Sequence, residues 1–140
     1  MTRLHIREFD LPDYEEVVNL WRDVELTPRP GDDLEGIRLK LERDADLFLV
    51  AEENHEIIGT VMGAWDGRRA WIYRLAVKAD RQRSGVGRAL IGKLERRLIE
   101  KGTLKVNAQI YLWNKKSLKF FRSIGYELQP DLVMVGKALK

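Results

Sequence analysis

Hydrophobic and polar residues follow two kinds of spacing along this chain. Apolar residues at two-residue spacing, bounded by turn signals, predict strands at residues 4–9, 47–52, 56–65, 70–77, 105–112, 126–128 and 132–135. Apolar residues at three- and four-residue spacing predict helices at residues 11–24, 32–43, 88–101 and 115–124. The element order is therefore βααβββαβαββ, which mixes helices and strands along the whole chain.

Length and composition predict one soluble domain covering residues 1–140. The chain is 44% hydrophobic and 34% charged, as globular proteins are, and it is long enough to bury a core. It has no cysteine, which excludes disulfides, thiolate metal sites and a cysteine nucleophile. The first ten residues are charged and strand-like, and no apolar run approaches the ~20 residues that span a bilayer. We expect a cytoplasmic protein that does not bind membranes.

Charge is distributed unevenly between the two halves. The first 77 residues hold 10 Lys and Arg against 17 Asp and Glu, whereas the remainder holds 15 against 5. A basic half suits phosphate-bearing ligands, and an acidic half suits a cationic partner. A mixed, solvated surface explains the same counts. The basic residues are interleaved with predicted core positions and no recognition motif accompanies them, so we expect no nucleic-acid binding.

A glycine-bearing turn separates the strand at residues 70–77 from the helix that follows. It reads Gln82-Arg83-Ser84-Gly85-Val86-Gly87. The start of a helix exposes unpaired backbone N–H groups at the positive end of the helix dipole, and glycine lets a ligand approach the main chain. The turn therefore predicts a phosphate-binding site. The run from Gly87 to Lys93 resembles the start of a P-loop, but Leu94 stands where that motif needs Ser or Thr, so nucleotide hydrolysis is not expected.

A second motif lies downstream, and the two together resemble one family. The residues are Asn114, Ser117, Leu118, Phe120, Phe121, Gly125 and Tyr126. With the Gln-x-x-Gly-x-Gly run at residues 82–87, this chain is similar over nearly its whole length to the GCN5-related N-acetyltransferase (GNAT) superfamily, in particular its small bacterial YpeA-like branch. The resemblance implies an α/β (α+β) fold. Its mixed, mostly antiparallel central sheet would splay between the fourth and fifth strands and be flanked by about four helices.

The resemblance also implies acetyl-CoA as donor and a set of residues that bind it. The strand backbone at Leu75, Ala76 and Val77 would contact the pantetheine arm, and the Val77 N–H would polarise the thioester carbonyl. Amides of residues 83–88 would hold the pyrophosphate, with Arg81, Arg83 and Arg88 adding charge. The complete implied set is Leu75, Ala76, Val77, Gln82, Arg83, Ser84, Gly85, Val86, Gly87, Arg88, Asn114, Ser117, Phe120 and Phe121. For Asn114, helix capping is the alternative role.

The sequence departs from the family at the general acid. Phe121 stands where many GNAT enzymes carry a tyrosine that protonates the departing thiolate, and a phenyl ring donates no proton. Tyr111 and Tyr73 are the candidate substitutes, although tyrosine in a strand more often serves packing. Three alternatives follow from this departure: the enzyme is slower, another residue serves as the acid, or the protein binds acyl-CoA without catalysis.

The general base is not identified by the sequence. An amine must lose a proton before it attacks. The family often uses a glutamate on the strand that precedes the glycine turn, or a water held by backbone and side chains. Residues 70–77 hold no carboxylate. Acids elsewhere include Glu25, Asp32, Asp33 and Asp66. Those that flank the loop at residues 27–31 lie where the resemblance places the acceptor, and capping or solvation is the alternative role of these acids.

The leading hypothesis is direct acetyl transfer from acetyl-CoA to a primary amine, either on a small cationic molecule or on a peptide or protein. The alternative is a non-catalytic acyl-CoA-binding or regulatory module. A basic phosphoanion binder is the weakest hypothesis. His5 and His55 lack ligand spacing, so no metal is expected. The resemblance leaves room for a homodimer.

Overall fold

The computed structural model describes residues 3–140 in two compact units, one up to Gln109 and one from Ile110 onwards. Met1 and Thr2, which the single-domain prediction includes, lie outside the described residues. The single-domain organisation stays a prediction.

The first unit is built on a five-stranded sheet whose strands follow one another in chain order. The strands are β1 (His5–Glu8), β2 (Phe48–Glu53), β3 (Glu56–Trp65), β4 (Ala70–Val77) and β5 (Val106–Ala108). Three of the four pairings are antiparallel, and only β4 and β5 run parallel. The predicted mixed, mostly antiparallel sheet is confirmed.

Four α-helices lie within residues 3–140, as predicted. They are α1 (Tyr14–Asp23), α2 (Leu34–Asp44), α3 (Val86–Glu100) and α4 (Lys115–Ser123), with short 3-10 turns at Leu11–Asp13, Ala45–Leu47 and Ala79–Arg81. The N-terminus of α2 is fixed by Asp33, whose carboxylate accepts the Gly36 N–H at 2.8 Å. None of the helices in this part of the chain is long and apolar enough to cross a membrane.

The helices of the first unit cover both faces of the sheet. Thr60 in β3 faces α1, because its hydroxyl accepts a hydrogen bond from Trp21 Nε1 at 3.0 Å. Its neighbours on the opposite face lie against α3: a Cβ at Gly59 would stand 2.9 Å from Val86, and one at Gly63 would stand 2.7 Å from Leu94. Glycine at these two positions therefore lets α3 approach the sheet closely.

The fourth and fifth strands separate after a short stretch of pairing. β4 pairs with β5 only from Ala70 to Ile72, and the Gln109 N–H then donates to the Ile72 carbonyl at 3.2 Å. Beyond this point no described residue of β5 pairs with β4. A bulge follows, in which Arg74 and Leu75 lie opposite Val61 alone, with Arg74 at φ 54°. The predicted splay is confirmed.

Two of the predicted strands are wrong, and a third is shorter than expected. Residues 126–128 and 132–135 contain no strand, and β5 covers three of the eight residues predicted for it. Val133 and Val135 are almost 90% exposed. Alternating apolar residues suit a strand, but a strand exists only where a neighbouring backbone pairs with it, and sequence periodicity does not report that neighbour.

We expect Gly36→Ala to lower the free energy of unfolding by about 1–3 kcal/mol, because the new Cβ would stand 2.1 Å from the Gly31 carbonyl oxygen. Gly92→Ala is the matched control in α3, where the nearest atom to the new Cβ is Arg96 Nη1 at 3.6 Å. The control should be neutral or stabilise by up to about 1 kcal/mol through helix propensity. Urea denaturation of both variants measures the difference, and equal stabilities would contradict the close contact at Gly36.

Candidate functional site

The connection from β4 to α3 presents a run of unpaired backbone donors. The first main-chain hydrogen bond of α3 runs from the Ala89 N–H to the Gly85 carbonyl at 3.0 Å. Within residues 3–140, none of the six consecutive N–H groups of residues 83–88 donates to a carbonyl or a side chain. The start of any helix leaves some donors unpaired, and the preceding turn extends the run here.

The backbone of this turn is left-handed at two residues. Arg83 and Gly85 have φ angles of 67° and 92°, and the Ser84 hydroxyl donates to the Arg81 carbonyl. Glycine accepts the left-handed conformation at Gly85 without cost, whereas Arg83 pays for it. Successive N–H groups in such turns form concave anion sites, and the positive end of the α3 dipole adds to the attraction.

Three arginines flank the turn, and they differ in how they are engaged. Arg81 Nε donates to Glu53 at 2.8 Å, so its charge is already paired. Arg83 and Arg88 are exposed, and neither forms an ion pair with a described residue. The sequence suggested all three as phosphate contacts, but only Arg83 and Arg88 keep their guanidinium groups available for an anion.

Val77 ends β4 immediately before this turn, and its N–H faces the open edge. The Lys78 N–H donates to the Ile58 carbonyl at 2.8 Å, across to β3. Successive N–H groups of a strand point to opposite sides, so the Val77 N–H points away from β3 and the Ala76 N–H towards it. The Val77 carbonyl accepts from Gln82 Nε2 at 3.0 Å, which ties the strand end to the turn. An unpaired donor at Val77 thus adjoins the six donors of residues 83–88.

The four acids considered as general base have different surroundings. Asp32 pairs with the guanidinium of Arg74, and Asp33 caps α2. The backbone N–H groups of Arg69 and Arg68 bind Asp66 and hold its pKa below the usual range. Glu25 is exposed at the C-terminal end of α1, where its side chain makes no hydrogen bond or ion pair with the described residues.

The two candidate tyrosines lie in different units. Tyr73 is half-buried in β4, and this burial raises its pKa, which keeps the phenol protonated at neutral pH. Tyr111 belongs to the second unit, is 38% exposed and stacks on Trp113 with ring centroids 5.7 Å apart. Neither observation by itself assigns proton donation to a tyrosine.

In the second unit, Asn114 caps α4 through its side-chain oxygen, which accepts the Ser117 N–H at 3.1 Å. The capping role is confirmed, while a pantetheine contact stays a prediction. Phe121 is buried, and its ring meets those of Phe120 and Tyr126 edge-to-face at 5.3 Å and 5.0 Å. Tyr126 belongs to the downstream motif, but the motif alone assigns no role to it. The Tyr126 N–H donates to the Phe121 carbonyl after the left-handed Gly125, which brings that phenol close to Phe121.

The predicted site residues therefore divide between the units. Residues 75–77 and 82–88 adjoin one another in the first unit, and Asn114, Ser117, Phe120 and Phe121 lie in the second. Combined action of the two groups on one ligand stays a prediction.

Solved structures share this fold. Ard1 from Thermoplasma volcanium superposes with a TM-score of 0.81 at 22% identity, covering 90% of this chain and 84% of its own. The PaiA N-acetyltransferase from Thermoplasma acidophilum, solved with coenzyme A, gives 0.80 at 18% identity over 91% of each chain. An aminoglycoside acetyltransferase from an uncultured soil sample, solved with sisomicin, gives 0.77 at 25% identity over 99% of this chain and 97% of its own.

Sequence comparisons cover almost the whole chain. A protein from Sodalis glossinidius (strain morsitans), named acetyltransferase, is 39% identical over 97% of this chain and 96% of its own length. A protein of the same name from Yersinia pestis (strain Pestoides F) is 42% identical over the same shares. The model of the acetyltransferase (GNAT) family matches residues 6–126. The chain, with its splayed sheet and its unpaired donors before α3, belongs to the GNAT family of acetyltransferases.

Proposed function

We propose that this protein is an N-acetyltransferase that moves an acetyl group from acetyl-CoA directly to a primary amine. The observation that carries the donor assignment is the set of unpaired N–H groups at residues 83–88 beside the open edge of β4. Coenzyme A combines a pyrophosphate with an extended, amide-bearing arm. The turn suits the pyrophosphate, and the unpaired strand edge suits the amides.

Two relatives in structure support the choice of ligands. The PaiA N-acetyltransferase was solved with coenzyme A, and the soil aminoglycoside acetyltransferase with sisomicin, an amine-bearing molecule. The acidic balance of the first 77 residues here favours a cationic acceptor. A small cationic molecule or a basic peptide end fits this charge.

The chemistry at the open edge is an aminolysis. The lone pair of the neutral amine attacks the thioester carbon, the carbon–sulfur bond breaks, and the thiolate of CoA departs. The Val77 N–H donates to the carbonyl oxygen as negative charge develops there, which lowers the barrier. The chain has no cysteine, and the Ser84 hydroxyl is engaged with the Arg81 carbonyl, so transfer without an acyl-enzyme is favoured.

Two proton transfers accompany the reaction: the amine loses a proton, and the departing thiolate gains one. General acid catalysis is typically worth about 10²–10⁴-fold, and Phe121 supplies none. A thiolate is a tolerable leaving group, since a thiol with a pKa of ~8.5 is far more acidic than an alcohol. We propose Tyr73 and Tyr111 as candidate donors, and Tyr126 joins them because its ring contacts Phe121. Of the four candidate acids, Glu25 is the one whose side chain makes no hydrogen bond or ion pair with the described residues, and we propose it as the base that deprotonates the amine.

A second function, acyl-CoA binding without catalysis, is favoured by the same phenylalanine and by the absence of a carboxylate on β4. Both functions share the donor site, so binding of acetyl-CoA does not separate them. Turnover does.

We expect purified protein to release CoA from acetyl-CoA in the presence of primary amines. Release should be faster with polyamines and aminoglycosides than with monoamines that carry no further positive charge. Thiol detection follows CoA release, and mass spectrometry follows the acetylated product. Acetyl-CoA binding by calorimetry is the parallel measurement. Tight binding without turnover on any amine would establish the binding module instead of the enzyme.

The double variant Arg83→Ala, Arg88→Ala should weaken acetyl-CoA binding roughly 5- to 30-fold, as expected for two exposed charge-assisted contacts. Acetyl-pantetheine, which lacks the pyrophosphate, should bind the variant and the original protein alike. Arg96→Ala removes another exposed arginine further along α3 and is the matched control. Equal losses for both ligands would argue against a phosphate site at the turn.

Phe121→Tyr should raise kcat if the missing phenol limits the rate, up to about 10²-fold, the lower end of general acid catalysis. Phe9→Tyr adds the same hydroxyl to a comparably buried ring outside the implied binding set and should leave kcat unchanged. The buried hydroxyl at position 121 costs about 1–3 kcal/mol of stability if it finds no partner, so thermal unfolding accompanies the kinetics. A folded Phe121→Tyr variant with unchanged kcat would show that proton donation to the thiolate does not limit turnover.

A further inference from the structure

The loop between α1 and α2 is held against β4 by a buried ion pair. Arg74 Nη2 donates to the carboxylate of Asp32, and the two side chains are only 9% and 12% exposed. The same nitrogen donates to the Thr27 carbonyl at 3.0 Å. One guanidinium group from the sheet therefore binds two separate points of the loop.

Asp32 also forms hydrogen bonds with Arg29 in the same loop and with Tyr14 of α1. Its carboxylate also accepts the Arg29 N–H at 2.8 Å, and the Asp32 N–H donates back to the Arg29 carbonyl at 2.9 Å. Its carbonyl accepts the Tyr14 hydroxyl of α1 at 2.8 Å. Residues 27–32 are thus fixed to α1 on one side and to β4 on the other.

Arg74 itself is held from several directions. It occupies the bulge of β4 with φ 54°, and its carbonyl accepts the Thr60 hydroxyl at 3.1 Å. Its guanidinium group lies over the ring of Trp21, 5.2 Å from the centroid. A bulge redirects a side chain, and a left-handed arginine carries a conformational cost. The strand departs from regular geometry at the residue that binds the loop.

The location of the pair connects it to the reaction. Arg74 precedes Val77 by three residues, about 10 Å along an extended strand, and both lie beyond the point where β5 leaves β4. A buried ion pair adds little net stability compared with apolar residues of the same shape, and in some proteins such a pair instead specifies one conformation. The segment that this pair contacts is the loop between α1 and α2, which it joins to the part of β4 beyond the separation from β5.

We propose that Arg74 and Asp32 are positioning residues, which hold the α1–α2 loop at the open edge of β4 as a fixed wall of the amine site. The inference rests on the proposed function and makes it more specific. Asp32 is engaged by a cation of the protein itself, so the pair shapes the site and does not bind the amine charge. Exposed acids of the same loop region, Glu25 among them, are left to attract a cationic acceptor.

The test uses Arg74→Met, which keeps the length and apolar stem, and Arg74→Lys, which keeps the charge without the planar fork. Arg74→Met should raise KM for the amine at least 10-fold, with kcat and the acetyl-CoA dissociation constant within about 3-fold of the original. Amide hydrogen exchange of residues 25–32 should quicken at least 10-fold. Arg74→Lys should fall between the original protein and Arg74→Met on both measures.

Arg7→Met is the matched control, since Arg7 forms a comparable ion pair with Asp13 and Glu52 away from the loop. It should change stability without changing the amine KM or the loop exchange. If the amine KM and loop exchange stay unchanged in Arg74→Met, the proposal is wrong. An acetyl-CoA dissociation constant that rises as much as KM would overturn it too, because a general distortion of the fold would then explain both.

Failure of the proposed function gives a different result. If the original protein acetylates no amine, the enzyme hypothesis fails, and hydrogen exchange decides the remaining part of the inference. Faster loop exchange in Arg74→Met, with unchanged exchange in Arg7→Met, would support the conclusion that the Arg74–Asp32 pair fixes the loop. Equal exchange in the two variants would refute it. Arg74→Lys supplies the same comparison if Arg74→Met does not fold.

Discussion

The separation of β4 from β5 after Ile72 is the constraint on which the candidate site depends. Backbone N–H and carbonyl groups require hydrogen-bond partners, and an unpaired strand edge inside a protein is costly unless a ligand or solvent reaches it. Parallel pairing ends after three residues, and beyond it the Val77 N–H faces the opened side. Because β5 does not pair with this part of β4, the strand keeps main-chain donors that suit an extended, amide-bearing ligand.

The turn before α3 continues the same arrangement at the end of the strand. Gln82 binds the carbonyl of Val77, and the unpaired N–H groups begin at Arg83. Gln82 thus ties the strand edge to the start of the helix, and both contribute unpaired donors near Arg83 and Arg88. An elongated ligand that carries amides at one end and phosphates at the other matches that order, and this match is why the donor side is easier to propose than the acceptor side.

The acceptor side depends on side-chain contacts of high sequence separation. Arg74 and Asp32 lie 42 residues apart, and each is ordinary by itself: one is an arginine in a strand, the other an acid before a helix. Their pairing places both charges in one buried contact, in which a cation of the protein itself engages Asp32. Asp33 and Asp66 accept hydrogen bonds from backbone N–H groups. Glu25 is therefore the one of the four candidate acids that has no such partner among the described residues.

Local pattern was sufficient for the helices, the first four strands and the glycine turn, because apolar spacing, caps and left-handed glycines act over a few residues. The family resemblance added the splay. Local pattern was wrong at residues 126–128 and 132–135, which form no strand in the described part of the chain. It also gave no indication of the arginine bulge or of the ring contact between Phe121 and Tyr126. The sequence by itself determined which segments become helix or strand and where unpaired donors appear. Only the tertiary structure decided which charges are used up in ion pairs, since that depends on which distant residues folding brings within hydrogen-bond distance.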